Sequence, residues 1–554
     1  MPPLSLSSAD ESAVRSRVLE LGDRFAGPTA DVAELLCDEH PADALAVTTV
    51  DAAGVVTVLT FGDLRQRSTQ CARALQELGI GRGDRVASLM DKSPDLVVLI
   101  VAIWRLGAVY VPLFTAFAPQ AIALRLDGSG ARVVVVDPGQ RHKLVPGDDL
   151  PDDPQRRILL TGSDSPVHEG DQLLQDLVSA ASPEPLPRLA VGGSGALVHM
   201  FTSGTTGKPK GVVHTVSYLA GWQAYLEFGL GVTADSTYWC AADPGWAYGL
   251  YSAIAAPLCA GLPTLLVAGG FSVERTWQVL AEQRVTDFTA APTVYRGLRS
   301  SSVPVPAGLA LQRLSSAGEP LTPEVNEWAA GALGLQVHDH FGQTEVGMVL
   351  ANCHHPALAR PLKAGSMGRA IPGWELTVLA EDADAPAGPG VLGRVAVDVA
   401  ASPFMTFTEY QTAGQAAAKF SGDRRWYLTG DSSRVDADGD FFFSSRDDDV
   451  IIMAGYRIGP FEIESVLAQH PAVAECVVVA APDEVRGEVI EAHVVPREGT
   501  AGTPELAAEL QQYVKTRYAA HAYPRTVHFR DALPKTPSGK IQRYLLRNRP
   551  SSAS

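Results

Sequence analysis

Residues 202–211 read Thr202-Ser203-Gly204-Thr205-Thr206-Gly207-Lys208-Pro209-Lys210-Gly211. An apolar run precedes this stretch and Val212-Val213 follows it, so the sequence predicts a loop between two buried strands. Glycines let backbone N–H groups turn toward one point, while hydroxyls and lysines add donors and charge, which together can cradle a polyphosphate. The loop is not a Walker A motif, because Pro209 follows Lys208 where that motif has Ser or Thr. The alternative is an ordinary mobile loop of small residues.

Length and composition narrow the class of protein. A chain of 554 residues is too long for one hydrophobic core, so we expect two or more domains. A net charge of −17 argues against a nucleic-acid-binding protein, which would present a basic face. The six cysteines include no CxxC pair, which favours a reducing compartment and neither a disulfide framework nor a zinc site.

The sequence also bears on location. The N-terminal region lacks an apolar signal core and carries Asp10 and Glu11, so we expect neither secretion nor an organelle transit peptide, and predict a cytoplasmic protein. Residues 96–117 and 250–268 are apolar, but prolines interrupt both, and a membrane span needs about 20 uninterrupted apolar residues. Both stretches therefore predict buried helices and strands.

From residue 59 onward, helical and strand patterns alternate. The predicted helices are 60–78, 95–106 and 119–127, and the predicted strands are 85–90, 108–111 and 131–136. Such alternation is typical of parallel strands joined by right-handed crossovers. Valine-rich runs without polar alternation are typical of strands buried on both faces. The fold class is therefore α/β, with a large N-terminal domain of parallel α/β sheets.

Two later regions differ from this pattern. Residues 365–445 show short alternating segments and Gly-Pro turns, which predict a β-rich subdomain of hairpins closing the large domain. After residue 448 the pattern returns to short helices and strands. We therefore predict an N-terminal domain at 1–447 and a small mobile α+β lid domain at 448–554, a size within the usual range.

Four further clusters carry polar side chains, at 316–320, 338–345, 427–431 with 445–449, and 533–541. Ligands in open α/β sheets bind at the carboxyl ends of strands, and Glu345 follows such a strand with a carboxylate suited to Mg²⁺. Taken singly, each cluster has a plain alternative: a tight turn at 316–320, a salt-bridged turn at Arg446, or a solvated basic tail around Lys540. For His338 and His340, we expect side chains on opposite faces of a strand, which disfavours a zinc site.

Together, and in this order, the motifs TSGTTGKPKG, GEP, GQTE, YLTGD, SRDDDVI, GYRIGPFEIES and PKTPSGKIQR resemble the adenylate-forming superfamily of acyl-CoA synthetases, luciferases and peptide-synthetase adenylation domains. The resemblance extends from about residue 59 to 547 and is greatest to medium-chain acyl-CoA synthetases and their acetyl-CoA synthetase relatives. It implies an ATP-dependent carboxylate–CoA ligase. A carboxylate attacks the α-phosphate of MgATP to give acyl-AMP and pyrophosphate, and the CoA thiol then displaces AMP.

The resemblance also implies roles for individual residues. The β- and γ-phosphates are assigned to Thr202, Ser203, Gly204, Thr205, Thr206, Gly207, Lys208 and Lys210. The adenine is assigned to Gly318, Glu319 and Pro320. The rest of the nucleotide is assigned to Gln343, Thr344, Asp431 and Arg446. Mg²⁺ is assigned to Glu345.

The C-terminal motifs imply a moving lid. Lys540 is implied to be the adenylation lysine, which bridges the acyl carboxylate and the α-phosphate. Asp448 is the implied hinge about which the C-terminal domain turns between the two half-reactions. After that rotation, Gly455, Tyr456 and Arg457 are implied to line the pantetheine tunnel of CoA.

The acyl pocket is assigned to Trp246, Ala247, Tyr248, Ala317 and Gly342. Acetyl-CoA synthetases resemble this chain but carry a tryptophan where Gly342 stands. Removal of an indole opens a large volume, so we expect an acyl group larger than acetyl (medium-chain, branched or aromatic), with Tyr248 limiting depth or favouring a ring.

Two alternatives remain open at the level of sequence. An adenylating enzyme can load the phosphopantetheine arm of a carrier protein instead of free CoA. A non-catalytic acyl-adenylate-binding protein would keep the fold without the reaction. The expected partners are a small carboxylic acid, ATP and CoA, with no nucleic acid, and the sequence leaves open a monomer or a homodimer.

Overall fold

In a computed structural model, the structure describes residues 8–147, 149–162, 168–182, 184, 186–202, 209–412, 414–447, 449–453, 456–483, 487–519, 522–536 and 540–547. Several predicted site residues lie outside these ranges, namely Ser203, Gly204, Thr205, Thr206, Gly207, Lys208, Asp448 and Gly455.

The described helices are α1 (Ser8–Ala26), α2 (Phe61–Glu77), α3 (Pro94–Arg105), α4 (Pro119–Ser129), α5 (Leu174–Ala180), α6 (Tyr218–Ala224), α7 (Ala247–Gly249), α8 (Ala256–Ala260), α9 (Val273–Glu282), α10 (Pro292–Ser300), α11 (Pro323–Leu333), α12 (Pro460–Leu467), α13 (Pro504–Arg517) and α14 (Tyr544–Arg547). Short 3₁₀ or π segments occur at Glu34–Asp38, Pro138–Leu144, Tyr225–Gly229, Leu250–Ala255 and Ala417–Lys419. None of these helices combines the length and hydrophobicity needed to cross a bilayer.

The described strands are β1 (Leu45–Val50), β2 (Val56–Thr60), β3 (Arg85–Leu89), β4 (Val109–Pro112), β5 (Val133–Val136), β6 (Arg157–Leu160), β7 (Gln172–Leu173), β8 (Ala196–Phe201), β9 (Gly211–Thr215), β10 (Tyr238–Cys240), β11 (Thr264–Val267), β12 (Asp287–Ala290), β13 (Arg313–Ala317), β14 (Val337–Gln343), β15 (Gly347–Ala351), β16 (Ser366–Ala370), β17 (Leu376–Leu379), β18 (Gly393–Asp398), β19 (Trp426–Val435), β20 (Phe441–Arg446), β21 (Ile451–Met453), β22 (Tyr456–Ile458), β23 (Val473–Asp483), β24 (Gly487–Pro496) and β25 (Thr526–Phe529).

A seven-stranded sheet in the order β7-β6-β5-β3-β4-β8-β9 holds the stretch quoted first. The predicted helices and strands between residues 60 and 136 are confirmed to within a few residues at each end. All four valines of β5 are buried, as expected for a strand covered on both faces. At the edge of the sheet, β8 and β9 pair antiparallel with Phe201 opposite Gly211, and Thr202 N–H donates to the Lys210 carbonyl at 2.9 Å. The described ends of the quoted stretch, Thr202 and Lys210, therefore face each other at the end of the β8–β9 pair.

A second sheet has 13 strands in the order β17-β18-β19-β20-β16-β15-β14-β13-β12-β10-β11-β1-β2. Strands β10 to β14 and β1 run parallel, whereas β14 to β20 pair antiparallel. The β-rich region predicted at 365–445 thus continues this sheet, because β16 pairs with both β15 and β20. The carboxyl ends of β13 and β14 lie side by side, with Ala317 opposite His340.

The C-terminal region forms a sheet of its own, from β21 to β25, with a separate apolar core. Its helix α13 begins where Thr503 Oγ1 accepts the N–H of Leu506, and Leu506, Leu510 and Val514 are buried in the core. The fold-class prediction of a large parallel α/β domain with a smaller α+β domain is confirmed. The boundary at Asp448 stays a prediction.

Candidate active site

The hairpin turn between β14 and β15 carries Gln343, Thr344 and Glu345. Gln343 Nε2 donates to Asp431 Oδ2 at 2.6 Å and to the Thr429 carbonyl at 2.9 Å. Tyr427 OH donates to Gln343 Oε1 at 3.0 Å. Both ends of the Gln343 amide are therefore held by β19, which joins two of the predicted motifs into one site.

The backbone of Thr344 is held by two side chains, one from β9 and one from α6. Its carbonyl accepts hydrogen bonds from His214 Nε2 at 2.7 Å and from Tyr218 OH at 2.9 Å. Burial lowers the pKa of His214 to about 3, so the ring is neutral, with its proton on Nε2. The Thr344 side chain itself is half-buried.

Glu345 is 8% exposed, and its Oε1 accepts the hydroxyl proton of Tyr410 at 2.7 Å. The Lys210 ammonium lies 4.8 Å from the centre of the Tyr410 ring, so Tyr410 links the end of the phosphate hairpin to this carboxylate. A hard carboxylate oxygen is the donor chemistry that Mg²⁺ prefers. The residues present therefore fit a magnesium ion at Glu345.

Asp431 and Arg446 are cross-strand neighbours on β19 and β20, with Arg446 Nε 4.0 Å from Asp431 Oδ1. Burial raises the pKa of Asp431 to about 6, although Arg446 and Lys419 oppose that shift. Lys419 donates to the Thr429 carbonyl at 2.8 Å, and burial lowers the pKa of its ammonium. A carboxylate and two cations thus share this end of the cleft.

The turn after β13 holds Gly318 at φ +98°, a conformation that favours glycine. The carboxylate of Glu319 accepts from Thr293 Oγ1 at 2.9 Å and forms an ion pair with Arg296 at 2.5 Å. The side chain of Glu319 is therefore engaged by α10. The adenine contact implied for Gly318, Glu319 and Pro320 would then come from the backbone of this turn.

Lys540 reaches this region from the C-terminal domain. Lys540 keeps exposed surface, although nearby protein atoms lower the pKa of its ammonium and Arg446 adds to that lowering, while the carboxylates of Glu319, Asp431 and Glu345 raise it. These four residues belong to four separate motifs that precede the C-terminal domain. The lysine therefore lies within electrostatic reach of the nucleotide end of the cleft, by which we mean Gln343, Thr344, Glu345, Asp431 and Arg446.

The residues predicted to line the acyl pocket, which we call the acyl end of the cleft, are Trp246, Ala247, Tyr248, Ala317 and Gly342. The Trp246 ring contacts Phe114 and Phe117, with ring centres 5.8 and 5.2 Å away. Ala317 is buried as the last residue of β13. This end is apolar and aromatic, apart from the hydroxyl of Tyr248.

That hydroxyl belongs to a directional hydrogen-bond chain. Tyr225 OH lies 2.7 Å from Tyr248 OH and 2.8 Å from His340 Nδ1, and His340 Nε2 lies 3.3 Å from the Asn352 carbonyl. Burial lowers the pKa of His340 to about 3, so its one proton is donated from Nε2 to the carbonyl. Tyr225 must then donate to Nδ1, and Tyr248 to Tyr225. Tyr248 thus has its oxygen lone pairs left for other partners.

The premise behind the predicted acyl size is wrong at Gly342. A Cβ on Gly342 would lie 2.2 Å from the Gly347 carbonyl oxygen and 2.6 Å from Met348 Sδ. The direction in which an indole would leave this backbone is therefore filled by the β14–β15 hairpin, and its absence does not create an empty volume. An acyl group larger than acetyl stays a prediction without support from this position.

The expectation that His338 and His340 point to opposite faces is also wrong, because residues two apart on a strand share a face. His338 Nδ1 and His340 Nε2 both approach the Asn352 carbonyl, at 2.6 and 3.3 Å. The His338 ring stacks on His354 with centres 3.6 Å apart. Because each of the two predicted histidines donates to a carbonyl, their role here is structural.

For the CoA residues, Tyr456 and Arg457 lie in β22, which pairs with β21. The structure describes their backbone, and the predicted tunnel stays untested. The sequence interpretation missed Tyr410, Lys419, His214 and Tyr218. The first two lie outside long regular elements, where no periodicity singles them out, and the other two lie in segments without a nucleotide motif.

Two further clusters of possible metal ligands lie elsewhere. Asp436, Asp438 and Asp440 surround the ammonium of Lys363 at 2.5 to 2.8 Å, so a cation already occupies that turn. The group of Glu491, His493 and His528 lies on β24 and β25. There Arg530 Nε donates to His493 Nδ1 at 2.9 Å, which leaves the proton of a neutral ring on Nε2, so neither nitrogen offers a lone pair to a metal.

Comparison with known proteins agrees with this geometry. The family model for the AMP-binding enzyme matches residues 35–402, and that for the AMP-binding enzyme C-terminal domain matches residues 462–540. An acetyl-coenzyme A synthetase of Bacillus subtilis is 35% identical over 496 residues, which cover 88% of this chain and 84% of that protein. A mitochondrial acyl-coenzyme A synthetase of Rattus norvegicus is 34% identical over 510 residues, covering 90% and 86%.

Solved structures are similar over nearly the whole chain. An acyl-CoA synthetase of Brucella canis is 40% identical with a TM-score of 0.74, covering 97% of this chain and 98% of that one. A benzoate CoA ligase from Burkholderia xenovorans LB400 is 29% identical with a TM-score of 0.81, covering 94% and 100%. The resemblance inferred from the motifs is confirmed, and the chain belongs to the AMP-binding enzymes, among their acyl-CoA synthetases.

Proposed function

We propose that this protein joins a carboxylic acid to CoA through an acyl-adenylate, with Lys540 serving the first step. ATP and CoA are the co-substrates and Mg²⁺ the metal cofactor of this class of ligase. The observation that supports the assignment is the meeting of the GQTE and YLTGD motifs, where Gln343 Nε2 donates to Asp431 Oδ2 at 2.6 Å, together with the charge interactions of Lys540 with Glu345, Asp431 and Arg446. Fixed cations aimed at developing negative charge are the main tool for such a transfer.

The residues of the nucleotide end have separate tasks in this proposal. Asp431 accepts hydrogen bonds from the ribose hydroxyls, and Gln343, bonded to it at 2.6 Å, keeps its carboxylate oriented. Glu345 holds the magnesium ion, which neutralises phosphate charge when bound. Thr344 contacts the α-phosphate. The stretch at 202–210 holds the phosphates that leave as pyrophosphate.

The lysine supplies charge at the reacting centre. Its ammonium lies between the acyl carboxylate oxygen that attacks and the α-phosphate oxygen that becomes more negative, and it donates hydrogen bonds to both. The second step needs no such cation, because AMP is already a good leaving group. We therefore expect a rotation about Asp448 to withdraw Lys540 and bring β22 toward the thiol of CoA.

The acyl group is bound among Trp246, Ala247, Tyr248, Ala317 and Gly342. The aromatic contacts of Trp246 favour an apolar or planar acyl group, and the Tyr248 oxygen offers one acceptor to a substrate hydroxyl or amine. The identity of the acid is left to experiment.

Carboxylate-dependent exchange of labelled pyrophosphate into ATP tests this proposal. Purified full-length protein is assayed with straight-chain, branched and aromatic acids, and AMP release is then measured after adding either CoA or a pantetheinylated carrier protein. We expect exchange with at least one acid and AMP release with CoA. Folded protein that supports no exchange with any acid would contradict the proposal, and release with the carrier protein alone would contradict the choice of acceptor.

A further inference from the structure

The segment that carries Lys540 is tied to Asp449, the residue that follows the proposed hinge. Arg543 Nη1 lies 3.6 Å from Asp449 Oδ2, and Arg547 Nη2 donates to Asp449 Oδ1. The Asp449 side chain is 13% exposed, so both guanidinium groups reach a mostly buried carboxylate. Two arginines close behind the lysine in sequence thus connect it to the place where the domain is expected to turn.

Arg543 makes a second contact, with helix α12. Its Nη2 lies 2.7 Å from both carboxylate oxygens of Glu464. Glu464 is 7% exposed, and its Oε1 also accepts the backbone N–H of Val478 at 2.7 Å. Charge-assisted contacts with a buried carboxylate fix geometry more firmly than exposed ion pairs do. Arg543 therefore joins three parts of the C-terminal domain: Asp449, α12 and its own segment.

The lysine lies three residues before this arginine, in a segment that we call the Lys540 turn and whose described residues are 535, 536, 540 and 541. Thr536 N–H donates to the Lys540 carbonyl at 2.7 Å, and Lys540 N–H donates to Thr536 Oγ1 at 3.1 Å. Lys535 and Ile541 form an antiparallel bridge across the base of the turn. The backbone of Lys540 is therefore held to its neighbours, and its place relative to the hinge is set by what holds the whole turn.

We infer that Arg543 is a positioning residue for adenylation: by holding Asp449 and Glu464 together, it makes the Lys540 turn and the start of the C-terminal domain move as one body. Rotation at position 448 then brings the Lys540 ammonium to a single defined position in the cleft. The inference rests on the proposed role of Lys540. A displacement of about 1 Å at a reacting centre can cost on the order of 100-fold in rate. Loss of the Arg543 contacts should therefore slow adenylation, the step that uses Lys540.

The test separates the two half-reactions of Arg543→Ala in the full-length protein. Adenylation is measured by pyrophosphate exchange, and thioester formation by the reaction of supplied acyl-adenylate with CoA. We expect the exchange rate to fall about 10- to 100-fold, as for a displaced catalytic group, with a smaller fall in thioester formation. Arg543→Lys, which keeps the charge but loses the paired geometry, should recover part of the rate.

Two controls make the result specific. Lys535→Ala removes a cation from the same turn, one that pairs with Glu475 at 2.6 Å, and should change exchange by less than about threefold, as for a part-exposed ion pair. In a Lys540→Ala background, Arg543→Ala should cause no further loss of exchange, because the arginine acts through the lysine. If Arg543→Ala does not fold, Asp449→Asn removes the other partner and should show the same imbalance.

Equal losses in the two half-reactions, or no loss, in folded Arg543 and Asp449 variants would overturn the inference. A further loss in the Lys540→Ala background would also overturn it. If Lys540→Ala itself leaves exchange intact, the proposed role of the lysine fails and the inference falls with it. If Lys540→Ala removes exchange while Arg543→Ala does not, only the inference fails.

Discussion

The two ends of the cleft are built in different ways. At the nucleotide end, the polar side chains come from short motifs and contact one another directly, as Gln343 does with Asp431 at 2.6 Å. At the acyl end, the shape depends on residues outside the predicted motifs, such as Met348 beside Gly342 and Tyr225 behind Tyr248. The residues proposed for the reaction lie in contiguous motifs, whereas those proposed to select an acid are shaped by neighbours that no motif marks.

The largest effect that tests this comparison is expected for Lys540→Ala. Removal of the cation at the α-phosphate should lower pyrophosphate exchange on the order of 10³-fold, whatever acid is used, because the ammonium stabilises charge at the reacting centre. Thioester formation from supplied acyl-adenylate should persist, since that step does not use the lysine. Loss of both half-reactions in a folded variant would show that Lys540 is not confined to the nucleotide chemistry.

Much of the fold and of the nucleotide end could be predicted from sequence, because the signals are local. The unbroken valine run of β5 and the capped, periodic helix α13 each carry their own signals. Gln343, Asp431 and Arg446 stand in contiguous motifs, so sequence could identify them, although the antiparallel pairing that places Asp431 opposite Arg446 is seen only in the structure.

The rest could not be predicted, because it depends on tertiary contacts and strand register that no local motif marks. Tyr410 donates to Glu345, 65 positions earlier in the chain, and nothing around Tyr410 marks it as a partner. The space beside Gly342 is set by the register of the β14–β15 hairpin, which shifts between Phe341 and Gly342. The error at His338 and His340 was different in kind, since correct use of strand alternation would have put both on one face.

A larger residue at Gly342, in the acyl end, should lower the stability of the protein before it changes the choice of acid. Gly342→Ala tests this expectation. The new methyl group meets the Gly347 carbonyl and Met348, so we expect the free energy of unfolding to fall by about 1–3 kcal/mol, as for an overpacked core. Chemical denaturation measures the change. Gly331→Ala is the matched control, because the position is exposed, in α11, with open space around a Cβ, and should gain up to about 1 kcal/mol from helix propensity.

Gly342→Trp extends the same test to substrate choice. If the hairpin excludes the indole, this variant should be destabilised still further and should show no clean shift toward acetate or propionate. A stable variant with such a shift would show that the backbone at Gly342 yields, and would restore the original argument that the missing indole sets the acyl size.

The smallest effects come from the same chemical change at each end, Tyr410→Phe and Tyr225→Phe. Tyr410→Phe removes one hydrogen bond to the Glu345 carboxylate, so exchange should fall about 10-fold, with a higher KM for MgATP and an unchanged order of preference among acids. Tyr225→Phe removes the acceptor of the Tyr248 proton, so that hydroxyl can donate to a substrate instead.

For Tyr225→Phe we expect acids with a hydrogen-bond acceptor on the acyl group to gain up to about fivefold in relative kcat/KM, while the KM for MgATP is unchanged. Exchange assays over matched acids with and without such an acceptor measure the gain, and thermal unfolding reports the cost of leaving His340 Nδ1 without its donor. If both variants change the KM for MgATP alike, the two ends are coupled through the β14–β15 turn, and the division between shared chemistry and acid selection does not hold at this cleft.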